Sequence, residues 1–265
     1  MGVKDRRTKI LLSLFLLSDV NFNFVTLSES NLKIFDLYLN QKTRGTLSGL
    51  MREGLIEKQT SEVTSAAITP TGVPLPIQTI ATEGVYRLTE NGFHALCLQF
   101  PFFRFLRDRW DGKWRILSYE IPEKKRELRD KLRREVVGWG LGPWHRSFWV
   151  TPHPIIENLK ELVSQKEEEE YLQAFEADHV FGDKETFIEK VWQKSTLDKK
   201  YRDLFKKWHD IIASGIDKTE KFKQIIALYV DVIRNDSGLP KELVGEKWIG
   251  FEAFTIFKEI RSILL

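Results

Sequence analysis

The sequence predicts an α+β protein in three parts: an N-terminal winged helix-turn-helix, a central ferredoxin-like domain and a C-terminal helical domain. Three observations support this fold class. Helical patterns precede two short strand patterns near the N-terminus, strand and helix patterns then alternate, and amphipathic helices fill the C-terminal third. A chain of 265 residues exceeds the usual size of one domain. We therefore expect domains at 1–98, 113–194 and 195–265, with a connector at 99–112.

The first helix is predicted from an almost continuous apolar run. Ile10 to Leu17 is apolar at nearly every position and follows Lys4, Arg6 and Arg7. A basic stretch before an apolar one also begins a secretory signal, but no small-residue cleavage site follows here. The run therefore favours a helix buried on several sides.

The second half of the N-terminal part predicts a helix with one apolar and one polar face. Leu47, Leu50 and Met51 follow helical spacing, and Gly54 stands where a helix usually ends. A helix fits the major groove of DNA, where polar side chains reach base edges and basic ones hold phosphates. The predicted DNA-binding residues are Gln41, Lys42, Thr43, Arg44, Ser48 and Arg52. The alternative is a winged helix that contacts protein instead.

Two short strands complete the predicted wing. Gly54-Leu55-Ile56, followed by Tyr86-Arg87-Leu88-Thr89 with Gly92, resembles the pattern of many bacterial winged-helix regulators. The region between the strands, 59–86, contains no Lys or Arg and is rich in Ser, Thr and Pro. Such a composition indicates either a flexible excursion or a contact with another subunit.

The central part begins with a strand and a strongly basic helix. Residues 114–121 are rich in β-formers and are followed by Pro122. Leu128, Leu132 and Val136 then repeat at four-residue spacing. Residues 144–151 predict a second strand, and further helix and strand patterns follow as far as residue 194. This alternation favours a ferredoxin-like sheet with helices on one face.

The charge of the central part has two interpretations. Residues 99–150 contain 13 Lys or Arg against 7 Asp or Glu. Such an excess is typical of a surface that faces a polyanion, but also of the solvated side of an amphipathic helix. If the first interpretation holds, the candidate phosphate contacts are Arg126, Arg129, Arg133 and Arg134.

Motifs along most of the chain resemble one family of regulators, the PaaX-like repressors of phenylacetate catabolism. The central part also resembles the CRISPR-associated ferredoxin-like proteins that bridge the spacer integrase. The residues that carry the family resemblance are Trp110-Asp111-Gly112, Trp114-Arg115, Ile121-Pro122-Glu123, Arg126, Arg129-Asp130, Leu132-Arg133, Gly140-Leu141-Gly142, Trp149 and Pro152. Further matches are Asp236, Leu239-Pro240, Leu243-Val244, Trp248, Gly250 and Ala253, with Ser237 and Gly245 in place of the family's prolines.

The resemblance implies a function without catalysis. A PaaX-like protein is expected to be a homodimeric repressor that binds double-stranded DNA and is relieved by an aryl-CoA or another small effector. No cofactor, catalytic residue or membrane association is expected. The single cysteine, Cys97, excludes an intrachain disulfide and a cysteine-based metal cluster, and it fits a cytoplasmic location.

Glu120 leaves one enzymatic alternative open. In the CRISPR-associated relatives an aspartate at the end of the first strand is the proposed metal ligand, and Glu120 occupies that place. A carboxylate can bind Mg²⁺, yet the sequence shows no second acidic ligand at a telling interval. A metal-dependent nuclease and a protein-binding winged-helix adaptor therefore remain the alternatives to a repressor.

Overall fold

A computed structural model describes residues 3–18, 22–59, 84–106, 109–164 and 166–265. The chain folds into two compact units, Val3–Ala95 and Leu96–Leu265. The second unit includes both the central and the C-terminal part. The expected domain boundaries within it stay predictions.

The first unit combines helices with a small antiparallel sheet of order β1-β3-β2. Its elements are α1 Arg6–Leu17, β1 Val25–Thr26, α2 Glu29–Ile34, α3 Gln41–Arg52, β2 Ile56–Lys58, β3 Val85–Leu88 and α4 Glu90–Gln99, whose last turn belongs to the second unit. The predicted pairing of the two strands is confirmed, because Ile56 is opposite Leu88 and Lys58 is opposite Tyr86. The expected wing at 59–86 lies mostly outside the described residues.

The helix α1 is the buried centre of the first unit. Every side chain from Ile10 to Leu16 is buried, as expected from the apolar run that predicted this helix. Asp5 caps the helix by accepting a hydrogen bond from the backbone N–H of Thr8 at 2.7 Å. The ring of Phe15 lies 5.4 Å from that of Phe93 on α4. The prediction of a buried first helix is confirmed.

The second unit has a four-stranded sheet surrounded by helices. Its elements are β4 Lys113–Tyr119, α5 Arg126–Gly138, β5 Gly142–His145, β6 Phe148–Thr151, α6 Ile156–Val163, β7 Leu172–Asp178, α7 Lys184–Trp192, α8 Lys194–Ala213, α9 Lys218–Ile233, α10 Lys241–Val244 and α11 Ile249–Leu264. Short 3-10 helices cover Pro101–Leu106, Glu123–Lys125 and Glu167–Tyr171.

The sheet is antiparallel with the order β5-β6-β4-β7. The succession β4, α5, β5, β6, α6, β7 is the βαββαβ arrangement of ferredoxin-like domains. One detail differs from the sequence prediction: residues 144–151 do not form a single strand. The chain turns at Arg146 and Ser147 and forms the β5–β6 hairpin. The pattern concealed the turn because no Gly, Pro, Asn or Asp marks it.

Each face of the sheet is packed by different helices. On one face, a buried cluster joins strands β4 and β6 to α5 and α6 through Leu117, Tyr119, Leu132, Val136, Trp149 and Leu159. On the other face, a second cluster joins the sheet to α7 and α10 through Trp114, Val150, Ile188, Val191, Leu239 and Leu243. Because helices pack on both faces, the expectation of helices on one face alone is wrong.

The Trp-Asp-Gly turn at the start of β4 has a structural explanation. Asp111 binds the buried guanidinium of Arg115 with both carboxylate oxygens, at 2.8 and 2.5 Å. Asp111 also accepts a hydrogen bond from the backbone N–H of Lys113, and Gly112 has a φ of 87° that favours glycine. The guanidinium holds the pKa of Asp111 below its ordinary value. The motif therefore fixes a turn.

The C-terminal helices share an aromatic core. The predicted core residues Trp208, Ile225, Tyr229 and Phe254 are buried, whereas Phe205 and Ile211 are only half-buried. The segment expected to be a connector, 99–112, contributes to this core through its 3-10 helix. The ring of Phe102 lies 6.4 Å from that of Tyr229, and the ring of Phe103 lies 6.3 Å from that of Phe254.

Asp236 organises the turn before α10. It is buried, accepts a hydrogen bond from the Tyr201 hydroxyl at 2.8 Å, and accepts another from the backbone N–H of Gly238 at 2.8 Å. Burial raises the pKa of this carboxyl above its ordinary value. Gly238 has a φ of 66°, and a Cβ there would lie 2.0 Å from the carbonyl oxygen of Pro101. The turn thus depends on both residues.

Candidate nucleic-acid interface

The helix α3 begins at a well-formed cap and buries one face. Asn40 accepts a hydrogen bond from the backbone N–H of Thr43 at 3.0 Å, which is the usual role of an asparagine at this position. Leu47 and Leu50 are buried against the first unit's core. The opposite side of the helix is left to solvent.

Most of the predicted DNA-binding residues lie together on this solvent side. Gln41, Lys42, Arg44, Ser48 and Arg52 are exposed. Positions 41, 44, 48 and 52 follow the three- and four-residue spacing that aligns side chains along one helical face. The Ser48 hydroxyl donates to the carbonyl oxygen of Arg44 at 3.1 Å and keeps its acceptor positions.

Thr43 is a correction. Its side chain is fully buried, so the prediction that Thr43 lies on the exposed face is wrong. Positions 43, 47 and 50 are separated by four and three residues, and this spacing places Thr43 on the same face as Leu47 and Leu50. This spacing could have been recognised in the sequence, and a threonine is small enough to pack at such a buried position.

Gly45 lies within the exposed face of α3. A Cβ added at this position would meet no atom within 4 Å, and the same holds for Gly49. Neither residue therefore serves the packing of the first unit. A bare backbone in the middle of the face lets another molecule approach the helix more closely than a side chain would permit.

Interactions at the end of α3 hold its position. Glu53 forms a two-pronged ion pair with Arg7 of α1, and this ion pair lowers the pKa of Glu53. The Thr89 hydroxyl donates to the carbonyl oxygen of Gly54 at 2.7 Å. Gly92 fits against the loop after α3, because a Cβ there would lie 2.0 Å from the carbonyl oxygen of Leu55. The Tyr-Arg-Leu-Thr and Gly motif therefore anchors this helix.

A second basic site lies in the second unit. A cavity of about 530 Å³ opens between the end of β4, the helix α5 and the β5–β6 hairpin. Its basic lining residues are Arg126, Arg129, Arg133, His145 and Arg146. Sequence reasoning missed His145 and Arg146, because it placed them inside a strand and not beside a hairpin turn. Arg134, predicted with the others, does not line this cavity.

The arginines of this cavity differ in the side chains that they contact. Arg129 binds Glu123 at 2.5 Å, and this hydrogen bond raises the pKa of the guanidinium. Arg126 lies 3.7 Å from Asp130. Arg133 lies over the ring of Trp149, 5.9 Å from its centre. Arg126 and Arg133 are exposed, so their charges face solvent and can meet an anion.

Glu120 lines the same cavity and is exposed. Its backbone N–H donates to the carbonyl oxygen of Tyr171. Across the described ranges of the chain, no group of three or more His, Cys, Asp or Glu side chains is placed to hold a metal ion. Four arginines line the cavity against the two acidic residues Glu120 and Asp130, and this excess of positive charge favours binding of an anion over binding of a cation.

A wider cleft lies in the C-terminal part of the second unit. It has a volume of about 900 Å³ and lies between the start of α8 and the segment that joins α10 to α11. Lys194, Lys199, Arg202 and Lys247 line it. The ammonium of Lys194 lies 5.6 Å from the centre of the Trp248 ring. Glu189, Asp198 and Glu246 line it as well, and Trp248 is buried, so the cleft has a mixed lining with a small excess of basic side chains.

A regulatory protein with a Cas2-like domain is the class indicated by the comparisons with known families. Residues 107–188 match the sequence model described as the PaaX protein central Cas2-like domain. Residues 192–265 match the PaaX-like protein C-terminal domain. These matches cover more than half of the chain, so the chain belongs to the PaaX-like family of transcriptional regulators. The resemblance inferred from the motifs is confirmed.

Other comparisons are less informative about function. No curated protein matches the chain. One similar solved structure is an uncharacterized protein of Mycobacterium tuberculosis, with 16% sequence identity and a TM-score of 0.53. The match covers 96% of this chain and 94% of that one, and at this identity it shows the fold alone. Among the described helices, none has both the length and the apolar character that a membrane span requires.

Two glycine substitutions distinguish a position that packs against the loop after α3 from a position on the exposed face of α3. We expect Gly92→Ala to destabilise the first unit by at least about 2 kcal/mol, since the added Cβ collides with the backbone of Leu55. Gly45→Ala has free space and a better helix propensity, so it should stabilise the helix by about 0.5–1 kcal/mol. Hydrogen exchange of the α1 and α3 amides measures both effects. Equal exchange rates in the two variants would contradict this assignment.

Proposed function

We propose that this protein is a dimeric transcriptional repressor that uses α3 as the recognition helix of a winged helix-turn-helix. The observation that carries the proposal is the exposed polar stripe of α3, from Gln41 to Arg52, opposite a buried apolar face. The order of helices followed by a β2–β3 pair is the arrangement that winged-helix domains use. Two such helices in a dimer would read successive major grooves of a pseudo-palindromic operator.

Family membership supports double-stranded DNA as the partner. The basic residues on the stripe are Lys42, Arg44 and Arg52, and each is exposed. Arginine reads guanine through two parallel hydrogen bonds, and lysine neutralises phosphates. In this proposal Gln41, Arg44 and Ser48 face base edges, because their side chains form one row along the exposed face of the helix.

The double variant Lys42→Ala/Arg44→Ala tests the recognition helix. Operator fragments are first recovered by genomic footprinting of the tagged wild-type protein. On those fragments we expect the variant to bind at least about tenfold more weakly, because each protomer loses two positive charges that face the DNA. The matched control Lys206→Ala/Lys207→Ala removes two exposed charges from α8 and should bind like the wild type. Unchanged binding by the first variant would refute the role of α3.

The basic cavity of the second unit is proposed to add phosphate-binding side chains. The sequence predicted Arg126, Arg129, Arg133 and Arg134 for this role. Of these, Arg126 and Arg133 are the best placed, since both line the cavity and are exposed. Arg146 joins them from the β5–β6 hairpin. Arg129 is already bound to Glu123 and would have to exchange that partner for a phosphate.

A salt titration tests whether these arginines bind phosphates. The logarithm of DNA affinity falls linearly with the logarithm of salt concentration, by about 0.9 for each phosphate that the protein neutralises. We therefore expect Arg126→Ala/Arg133→Ala to give a slope that is shallower by about 0.9 for each phosphate that is no longer neutralised. Arg134→Ala is the matched control, because Arg134 is exposed on the same helix but lies outside the cavity. Equal slopes for all proteins would exclude the cavity from DNA binding.

The proposal includes relief of repression by a small effector, an aryl-CoA by family resemblance. The C-terminal cleft supports this step, because Lys194, Lys199 and Lys247 line it and their ammonium groups suit the phosphates of such an effector.

Titration calorimetry with benzoyl-CoA and free CoA tests this step. We expect Lys194→Ala/Lys247→Ala to weaken aryl-CoA binding at least about tenfold, since both ammonium groups line the cleft. Lys206→Ala, an exposed α8 lysine outside the cleft, should have no effect. Absence of heat with wild-type protein would remove the effector from the proposal and leave the repressor function unaffected.

A further inference from the structure

The central sheet has two edge strands of very different character. Strand order places β5 at one edge and β7 at the other. The strand β5 contains only four residues, includes Pro143, and has a register shift between Pro143 and His145. Short length, proline and irregular register are devices that prevent an edge from pairing with another chain. The β5 edge is therefore protected.

The strand β7 lacks these devices. It runs opposite β4 in one unbroken register, from the Lys113–Asp178 pair to the Tyr119–Leu172 pair. Gln173, Ala174, Phe175 and Glu176 are all exposed. Phe175, at the middle of the strand, exposes 51% of its surface. An edge of this length and regularity presents backbone N–H and C=O groups that are suited to pair with another strand.

We propose that β7 pairs antiparallel with β7 of a second copy of this chain, so that the two central sheets become continuous. This inference rests on the dimer of the proposed function and locates its interface. Strand addition at a free edge supplies main-chain hydrogen bonds. A two-fold axis that passes between the two β7 strands makes the interface self-complementary.

The charges of β7 favour a second copy as the occupant. With the axis at Phe175, Glu176 would stand opposite Ala174 of the second copy, and Asp178 opposite Leu172. No acidic residue would then face another acidic residue across the pair. Within its own sheet, Glu176 is bound by Arg115 at 3.1 Å, and Asp178 lies 3.7 Å from Lys113. These ion pairs partly offset the acidic charge of the strand, which reduces both its attraction to a basic peptide and its repulsion of a second copy.

The same register gives Phe175 a partner. Phe175 is opposite Ile116 of β4 and so projects on the same face of the sheet. Directly opposite residues of antiparallel strands have Cβ atoms about 4.5–5.5 Å apart. Two Phe175 rings at the axis would therefore cover each other and remove the largest exposed side chain of the strand from water.

The oligomeric state of Phe175→Lys tests the interface. In sedimentation equilibrium, we expect wild-type protein to be a dimer and Phe175→Lys to dissociate about tenfold more readily, because the variant places two like charges directly opposite each other and removes the aromatic pair. Ile212→Lys, a similar change at an exposed residue of α8, is the control and should remain dimeric. Circular dichroism verifies that each variant is folded.

Disulfide trapping tests the register independently of dimer strength. In a Cys97→Ser background, Phe175→Cys should form an intermolecular disulfide, because opposed Cα atoms about 4.5–5.5 Å apart satisfy disulfide geometry. Gln173→Cys should not, since in this register its own copy lies about 13 Å away along the strand. Trapping at residue 173 in place of 175 would overturn the proposed register.

The outcomes separate this inference from the proposed function. A wild-type monomer would overturn both the interface and the dimer of the proposed function. A wild-type dimer that Phe175→Lys leaves intact, without trapping at residue 175, would overturn the interface alone. A dimer that is dissociated by Phe175→Lys and trapped at residue 175 supports the interface, even if footprinting finds no DNA binding and the repressor proposal fails.

Discussion

The buried guanidinium of Arg115 is the interaction on which the central sheet depends. It binds Asp111 in the turn before β4, Glu176 on β7, and the carbonyl oxygen of Pro152 after β6. One side chain thus joins the beginning of the first strand to both of its neighbours. A buried cation is costly unless it is paired and hydrogen-bonded, and these partners meet that requirement. The position of α5 and of the β5–β6 hairpin, and hence the basic cavity, follows from this arrangement of strands.

In the first unit, the candidate DNA-binding residues are held in place without taking part in the packing. The helix α3 is positioned by apolar packing on one side and by hydrogen bonds and an ion pair at its ends. The side chains of its outer face are therefore not needed to hold the helix in place. The bare backbone at Gly45 is consistent with this division. Residues that would recognise DNA are then held by a rigid element whose stability does not depend on them.

Much of this organisation could be predicted from the sequence, and the errors have physical causes. An apolar run identified α1 and helical spacing identified α3, because burial imposes periodicity. The Gly-Leu-Ile and Tyr-Arg-Leu-Thr motifs identified the strand pair of the first unit. Thr43 was misplaced because its polar character was weighted above its spacing. The β5–β6 turn was missed because it contains no Gly, Pro, Asn or Asp. His145 and Arg146 were therefore missed as cavity residues. The open edge at β7 could not be predicted, because strand order depends on pairing between distant parts of the chain.

The buried carboxyl of Asp236 links the C-terminal helices to proton concentration. Its raised pKa means that the folded chain holds this proton more tightly than the unfolded chain does. Folding is therefore accompanied by proton uptake at pH values between the unfolded pKa and the folded one. As pH falls through the folded pKa, the cost of burying the charge begins to decrease, and it is fully removed once the pH is below the unfolded pKa. The free energy of unfolding of the C-terminal helices therefore gains a contribution from this one carboxyl as the pH is lowered from above its folded pKa to below its unfolded pKa.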